Sequence, residues 1–129
     1  ALRAWVARSG TQASVVQAPL DVRFAAGRIL QPDAMVFLQA LPADVETPVD
    51  RIPELCIEVL SHNRAYDRVT KRYLYAEAGV QEYWIVDPAG MFERRSGPAL
   101  SQLDFVTGRL TSALLAGFAL DVEPLFRFA

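Results

Sequence analysis

Two carboxylates and one lysine are the residues of this chain whose types and surroundings point most directly to chemistry. Glu58 lies in the apolar run Leu55–Leu60, and because side chains alternate along a strand it shares a face with Cys56 and Leu60. A buried carboxylate is usually paired, protonated or bound to a metal, since an unpaired charge is costly away from water. Glu58 is therefore the first candidate, unless that face of the strand meets solvent and the residue is ordinary.

Asp33 is the second candidate carboxylate. It follows Pro32 and precedes the apolar stretch Ala34–Leu38, a position that also suits a simple cap at a strand start or in a turn. If the strand after Asp33 lies beside the strand of Glu58, the two carboxylates can converge. Carboxylate oxygens together with water form the kind of site that Mg²⁺ or Mn²⁺ prefers.

A cationic helix face is the third feature. The run from Arg64 to Ala78 has helical spacing, with Ser61 or Asn63 as its N-cap and Gly79 ending it. At about 100° per residue, one face collects Arg64, Arg68, Lys71, Arg72 and Tyr75. This face suits phosphate groups, or alternatively is only solvated. The opposite face is expected to meet the sheet and carries Tyr66, Val69, Tyr73 and Ala76.

Lys71 is the only lysine of the chain. Because its helix directly follows the strand of Glu58, Lys71 is expected to reach back toward the carboxylates. Asp67 precedes Lys71 by four residues and is spaced to pair with it. The single histidine, His62, has no second histidine with which to hold a metal.

The predicted elements that position these residues are mostly short strands. We expect the residues up to Ser9 to end a helix that is longer at its N-terminus. Strands or strand-like segments are predicted at 13–18, 20–24, 29–30, 34–38, 55–60, 82–87, 91–95 and 105–110. A hairpin turn is predicted at 25–27, a surface loop at 40–53, a helix at 64–78 and a packed tail at 117–126. The order predicts a mixed β-sheet flanked by helices, in an α/β or α+β fold.

Composition limits the class of protein. The 129 residues, 52% hydrophobic and 22% charged, predict one globular domain over residues 1–129, which we expect to be truncated at its N-terminus. No apolar run reaches about 18 residues, so a transmembrane helix is not expected. The lone Cys56 excludes an internal disulfide and a Cys-rich zinc site and, without a signal-like start, favours the cytoplasm. The net charge of −2 requires any nucleic-acid contact to come from a local basic face.

Several segments together resemble the Uma-two family, over most of the chain from about Pro19 onward. Gln31–Phe37 resembles its strand with a Pro-Asp pair, and Pro53–Ser61 resembles its strand with a central Glu. Arg64–Val80 is similar to its helix with Asp-Arg and Lys, and Glu82–Pro88 matches its Glu-Tyr-Trp-Ile-Val-Asp-Pro segment. The resemblance implies a restriction-endonuclease-like fold of the PD-(D/E)XK superfamily.

The resemblance also implies roles for individual residues. Asp33 and Glu58 correspond to the two acids that bind a divalent metal, and the backbone carbonyl of Val59 to a further ligand. Leu60 stands where the superfamily usually has Lys, but this family carries its Lys on the following helix, where Lys71 matches. Lys71 is then expected to activate water or to stabilise the charged transition state.

Three functional hypotheses remain open. The first is a nuclease that uses Mg²⁺ or Mn²⁺ to hydrolyse phosphodiester bonds of nucleic acid, with DNA as the expected substrate. In it, Ser61 and Asp67 support the site, and backbone phosphates are held by Arg64, Arg68 and Arg72. The second is a module that binds nucleic acid through the same helix without cleaving it. The third is a structural or assembly protein in which Glu58 and Lys71 form only a buried ion pair. Nucleases of this fold are often dimers, because two strands need two sites, and the chain is compatible with a homodimer.

Overall fold

A computed structural model describes residues 1–60 and 65–126 of the chain. It contains helices α1 (Leu2–Ser9) and α2 (Ala65–Ala78) and strands β1 (Ser14–Gln17), β2 (Val22–Ala25), β3 (Arg28–Leu30), β4 (Ala34–Phe37), β5 (Leu55–Val59), β6 (Glu82–Asp87), β7 (Met91–Ser96), β8 (Gln102–Phe105), β9 (Arg109–Thr111) and β10 (Ala119–Asp121). Two short 3₁₀ turns lie at Pro98–Leu100 and Glu123–Phe126. None of the helices described is long and apolar enough to cross a bilayer.

The predicted mixed sheet with flanking helices is confirmed. Six strands form one sheet in the order β1-β4-β5-β6-β7-β8. The pair β5 and β6 is parallel, whereas every other neighbouring pair in this sheet is antiparallel. A parallel pair needs a crossover connection, and α2 lies within the one that joins β5 to β6. This connection places α2 directly after the strand that carries Glu58.

Two small two-stranded sheets accompany the main one. The predicted turn at 25–27 is confirmed as the link between β2 and β3, with Gly27 in the left-handed region at φ 70°. The strand and turn predicted at 105–110 correspond to the end of β8 at Phe105 and the connection to β9, which begins at Arg109. β9 pairs with β10, which is built from the predicted tail.

The main sheet separates two apolar cores. Leu55 and Ile57 of β5 contribute to one core, with Trp5 of α1 and Phe118 of the C-terminal segment. Cys56, on the other face of β5, belongs to the second core, which α2 covers. The predicted alternation of side chains along β5 is therefore confirmed, and it places Glu58 on the α2 side of the sheet.

The predicted orientation of α2 is wrong for Val69 and Tyr73, whereas Ala76 packs against the second core as expected. Val69 and Tyr73, expected to face the sheet, are 53% and 58% exposed, whereas Tyr75 is fully buried. The ring of Tyr75 packs against aromatic side chains of the second core, and its hydroxyl has a hydrogen-bond partner there. A tyrosine with a partner for its hydroxyl is readily buried. The charge pattern of the helix predicted that Tyr75 lies on the polar face, whereas the rings that Tyr75 contacts belong to the second core.

Candidate active site

The register of β4 against β5 brings the two candidate carboxylates together. Ala34 lies opposite Ile57 in this antiparallel pair, so Asp33, just before β4, lies at the level of Glu58. Asp33 Oδ2 accepts a hydrogen bond of 2.8 Å from the backbone N–H of Val59. This bond links the start of β4 to the end of β5. The strand after Asp33 therefore lies beside the strand of Glu58, which is the arrangement that lets the two carboxylates converge.

Glu58 is a buried carboxyl with donors from α2. Only 2% of the residue is exposed. Its Oε1 atom accepts hydrogen bonds from Lys71 Nζ at 3.2 Å and from the Tyr75 hydroxyl at 2.7 Å. The side chain of Asp33 is also within hydrogen-bonding reach of Glu58. Four side chains from three parts of the chain therefore meet at one place, on one side of the sheet.

The electrostatics of Glu58 reflect this crowding. Burial raises the pKa of Glu58 above its usual value, and the neighbouring Asp33 adds to the rise. The hydrogen bond from Tyr75 and the charge of Lys71 oppose it, but the net direction is upward. In the absence of a cation, Glu58 therefore keeps its proton to a higher pH than a glutamate side chain in water does.

Lys71 reaches the carboxylates, as its place on the helix suggested. Its side chain is 17% exposed and forms an ion pair with Glu58. The proposed partner Asp67, together with Arg68, has a side chain outside the described residues. Ser61, His62 and Arg64 are likewise outside them. Arg72 is the one member of the predicted phosphate-binding set whose side chain is described, and its guanidinium lies 4.9 Å from the centre of the Tyr73 ring.

Tyr75 is a site residue that the sequence analysis did not identify as one. Burial raises the pKa of Tyr75 far above its ordinary value, and the nearby Cys56 and Glu58 act in the same direction. The phenol therefore keeps its proton and acts as a donor. Its spacing of four residues from Lys71, one helical turn, was the available signal, because both side chains then lie on the face toward Glu58.

The oxygen atoms of this site fit a hard divalent cation. Asp33 and Glu58 bring two carboxylates together, and a bound cation would offset the repulsion between their charges. Val59, whose backbone carbonyl is the further candidate ligand, follows Glu58 at the end of β5 and is 47% exposed. No group of three or more His, Cys, Asp or Glu side chains able to hold a metal occurs in the part of the chain that the structure describes. A cation held here would depend on the Asp33–Glu58 pair with backbone and water oxygens, as Mg²⁺ sites commonly do.

A second buried carboxyl differs from Glu58. Glu82 is 5% exposed and accepts hydrogen bonds from Trp84 Nε1 at 2.8 Å and from the Ser112 hydroxyl at 2.7 Å. Glu82 lies opposite Leu55 in the β5–β6 register, on the sheet face away from Glu58. Its neutral donors tie β6 to the C-terminal segment, so it provides a matched control for experiments on Glu58.

Comparisons with known proteins identify a family and a similar fold. The model of the Uma2 family, described as "Putative restriction endonuclease", matches residues 1–123. A crystal structure from Anabaena variabilis, described as "a putative nuclease belonging to DUF820", has a similar fold with a TM-score of 0.72. It is 20% identical in sequence, and the match covers 94% of this chain and 72% of that one. No curated protein matches the chain.

Proposed function

The chain belongs to the Uma2 family of restriction-endonuclease-like proteins, and we propose that it is a divalent-cation-dependent nuclease that hydrolyses phosphodiester bonds of nucleic acid. The observation that supports this most directly is the convergence of Asp33, Glu58 and Lys71 on one side of the sheet. They come from the start of β4, from β5 and from α2. Two acids able to hold a cation, with a lysine able to stabilise developing negative charge, suit the hydrolysis of a charged diester.

The two carboxylates and the Val59 carbonyl would hold the cation, Mg²⁺ or Mn²⁺. Such an ion, when bound, polarises the scissile phosphate and lowers the pKa of a bound water. The chain's own contribution is to fix the acids: the Val59 N–H holds Asp33, and α2 holds Glu58. This arrangement is set before substrate arrives, so little reorganisation is needed during the reaction.

Lys71 would act on the phosphate or on the attacking water. Its ammonium group already lies at the carboxylate cluster and remains partly exposed. A cation aimed at developing negative charge stabilises the transition state more than the ground state. Lys71 therefore supplies charge stabilisation or positions the water.

The partner would be nucleic acid, most simply DNA, held through its phosphates by Arg64, Arg68 and Arg72. Contacts of this kind give binding that depends on salt and carries little sequence information. We also propose that residues 1–129 act as one domain in the cytoplasm, and that a homodimer presents one site to each strand of a duplex. Ser61 and Asp67 are proposed to support the function of the site.

Cleavage assays on supercoiled plasmid and single-stranded DNA test this function. Wild type should cut with Mg²⁺ or Mn²⁺ and not with EDTA, and Asp33→Asn should abolish cutting because the cation loses a ligand. The matched control is Glu82→Gln, which removes a buried carboxyl on the other face of the sheet and should leave the activity intact.

The other two hypotheses predict different results in the same assay. Binding to DNA without cleavage in any metal would identify a non-cleaving module. Neither binding nor cleavage would favour a structural role for the Glu58–Lys71 pair. Equal cleavage by wild type and Asp33→Asn would show that the activity does not come from this site.

A further inference from the structure

Tyr75 has a ring and a hydroxyl with separable roles. The ring packs against Phe24 and Tyr83, each at 5.1 Å between ring centres, and a phenylalanine would keep both contacts. The hydroxyl is not needed for this packing, and burying it is costly unless it is hydrogen-bonded. Its partner is Glu58 Oε1, at 2.7 Å. The contact between hydroxyl and carboxyl is therefore the feature that packing does not explain.

Tyr75 and Lys71 hold the same atom of Glu58. Both side chains come from α2, one helical turn apart, and both donate to Oε1. A carboxyl group held at one oxygen by two donors from one helix cannot rotate without breaking both bonds. Oε1 is thereby fixed toward the helix, and the same two bonds set the direction in which Oε2 points.

We propose that Tyr75 is a positioning residue of the cation site, holding Glu58 by Oε1 so that Oε2 is the atom that coordinates the metal. This inference rests on the proposed function and adds to it a residue outside the two acids and the lysine. Residues that orient metal ligands without touching the metal typically contribute 10- to 100-fold to metal affinity. The effect of Tyr75 should therefore be visible in metal binding itself.

Titration of the protein with Mn²⁺, followed by calorimetry, tests the inference with Tyr75→Phe. We expect the variant to fold and to bind Mn²⁺ about 10- to 100-fold more weakly than wild type. In cleavage assays at saturating Mn²⁺, kcat should fall while KM for DNA stays unchanged, because the hydroxyl faces Glu58 and not the substrate.

The matched control is Tyr83→Phe, which removes a hydroxyl from a neighbouring buried ring and should leave Mn²⁺ affinity within about twofold of wild type. If Tyr75→Phe binds Mn²⁺ as wild type does, while Glu58→Gln loses binding, the positioning role is overturned and the proposed function stands. If wild type and Glu58→Gln bind Mn²⁺ equally, the proposed cation site itself fails.

A structure of the wild-type protein with Mn²⁺ bound tests the same inference without any variant. The expected result is coordination by Glu58 Oε2, with Oε1 still bonded to the Tyr75 hydroxyl. Coordination through Oε1, with the Tyr75 bond broken, would overturn the inference even if Tyr75→Phe does not fold.

Discussion

At the scale of single residues, the arrangement around Glu58 is better explained by function than by stability. A buried ion pair such as Glu58–Lys71 contributes little net stability, because removing both charges from water offsets much of their attraction. The second carboxyl, Asp33, makes the burial of negative charge still less favourable. Apolar residues would pack this part of the core at lower cost. The cluster is therefore consistent with a role that requires charge.

The raised pKa of Glu58 predicts how stability responds to pH without metal. The contribution of Glu58 to the free energy of unfolding is fully present below the ordinary pKa of a glutamate, 4.5. This contribution is lost as pH rises through the higher pKa that Glu58 has in the folded state. The free energy of unfolding of Glu58→Gln, relative to wild type, should therefore increase as pH rises from 4.5 toward neutrality. Urea unfolding in EDTA at several pH values measures this difference. A difference that is constant or falls with pH would contradict it.

Lys71 is predicted to matter for turnover more than for folding. Lys71→Ala should lower kcat by about 10²- to 10³-fold, comparable to removing one preorganised donor from an oxyanion site. Circular dichroism should show an intact fold. Arg94→Ala is the control, since it removes a cation of β7 that pairs with Asp104 of β8. Normal cleavage by Lys71→Ala would refute the role assigned to this lysine.

At the scale of elements, the sequence predicted the strands that carry the site better than the helix that completes it. The alternation along β5 indicated correctly that Glu58 shares a face with Cys56, because period-two burial is a local property. The orientation of α2 depends on which core receives Tyr75, and the rings that pack against Tyr75 belong to Phe24 of β2 and Tyr83 of β6, outside the helix. The short β9 and β10 gain their stability from pairing with each other, which local patterns do not reveal.

A glycine in the left-handed region directly follows α2. Gly79 has φ 97°, and the next residue, Val80, donates its N–H to the carbonyl of Tyr75. Gly79→Ala should lower the free energy of unfolding by about 1–2 kcal/mol, because a side chain disfavours this left-handed conformation. Gly108→Ala is the control, because Gly108 lies outside the left-handed region and an added Cβ there meets no atom within 4 Å. Urea unfolding that ranks the two variants equally would contradict this explanation of the helix end.

At the scale of the whole molecule, the topology assembles the site. β5 is antiparallel to β4, so the start of β4 lies beside the end of β5. β5 is also parallel to β6, so its end must lead into the crossover that contains α2. This strand order therefore brings Asp33, Glu58 and the helix that carries Lys71 close together. The sequence identified each of these residues, but only the order of the strands brings them to one place.

A bound cation should stabilise the entire fold. At a Mn²⁺ concentration 100 times its Kd, wild type should gain about 2.7 kcal/mol in free energy of unfolding, because the ion binds only the folded state. Glu58→Gln should gain much less, whereas Glu82→Gln should gain as much as wild type. Thermal unfolding with and without Mn²⁺ measures the three. An equal gain for wild type and Glu58→Gln would place the ion elsewhere.

Anomalous diffraction from crystals of the wild-type protein soaked in Mn²⁺ tests directly whether Asp33 and Glu58 bind a cation. We expect an anomalous peak between Asp33 and Glu58, within bonding distance of a carboxylate oxygen from each. An anomalous peak only at another place, or no peak in crystals of a protein that cleaves DNA with Mn²⁺, would exclude a cation site between Asp33 and Glu58.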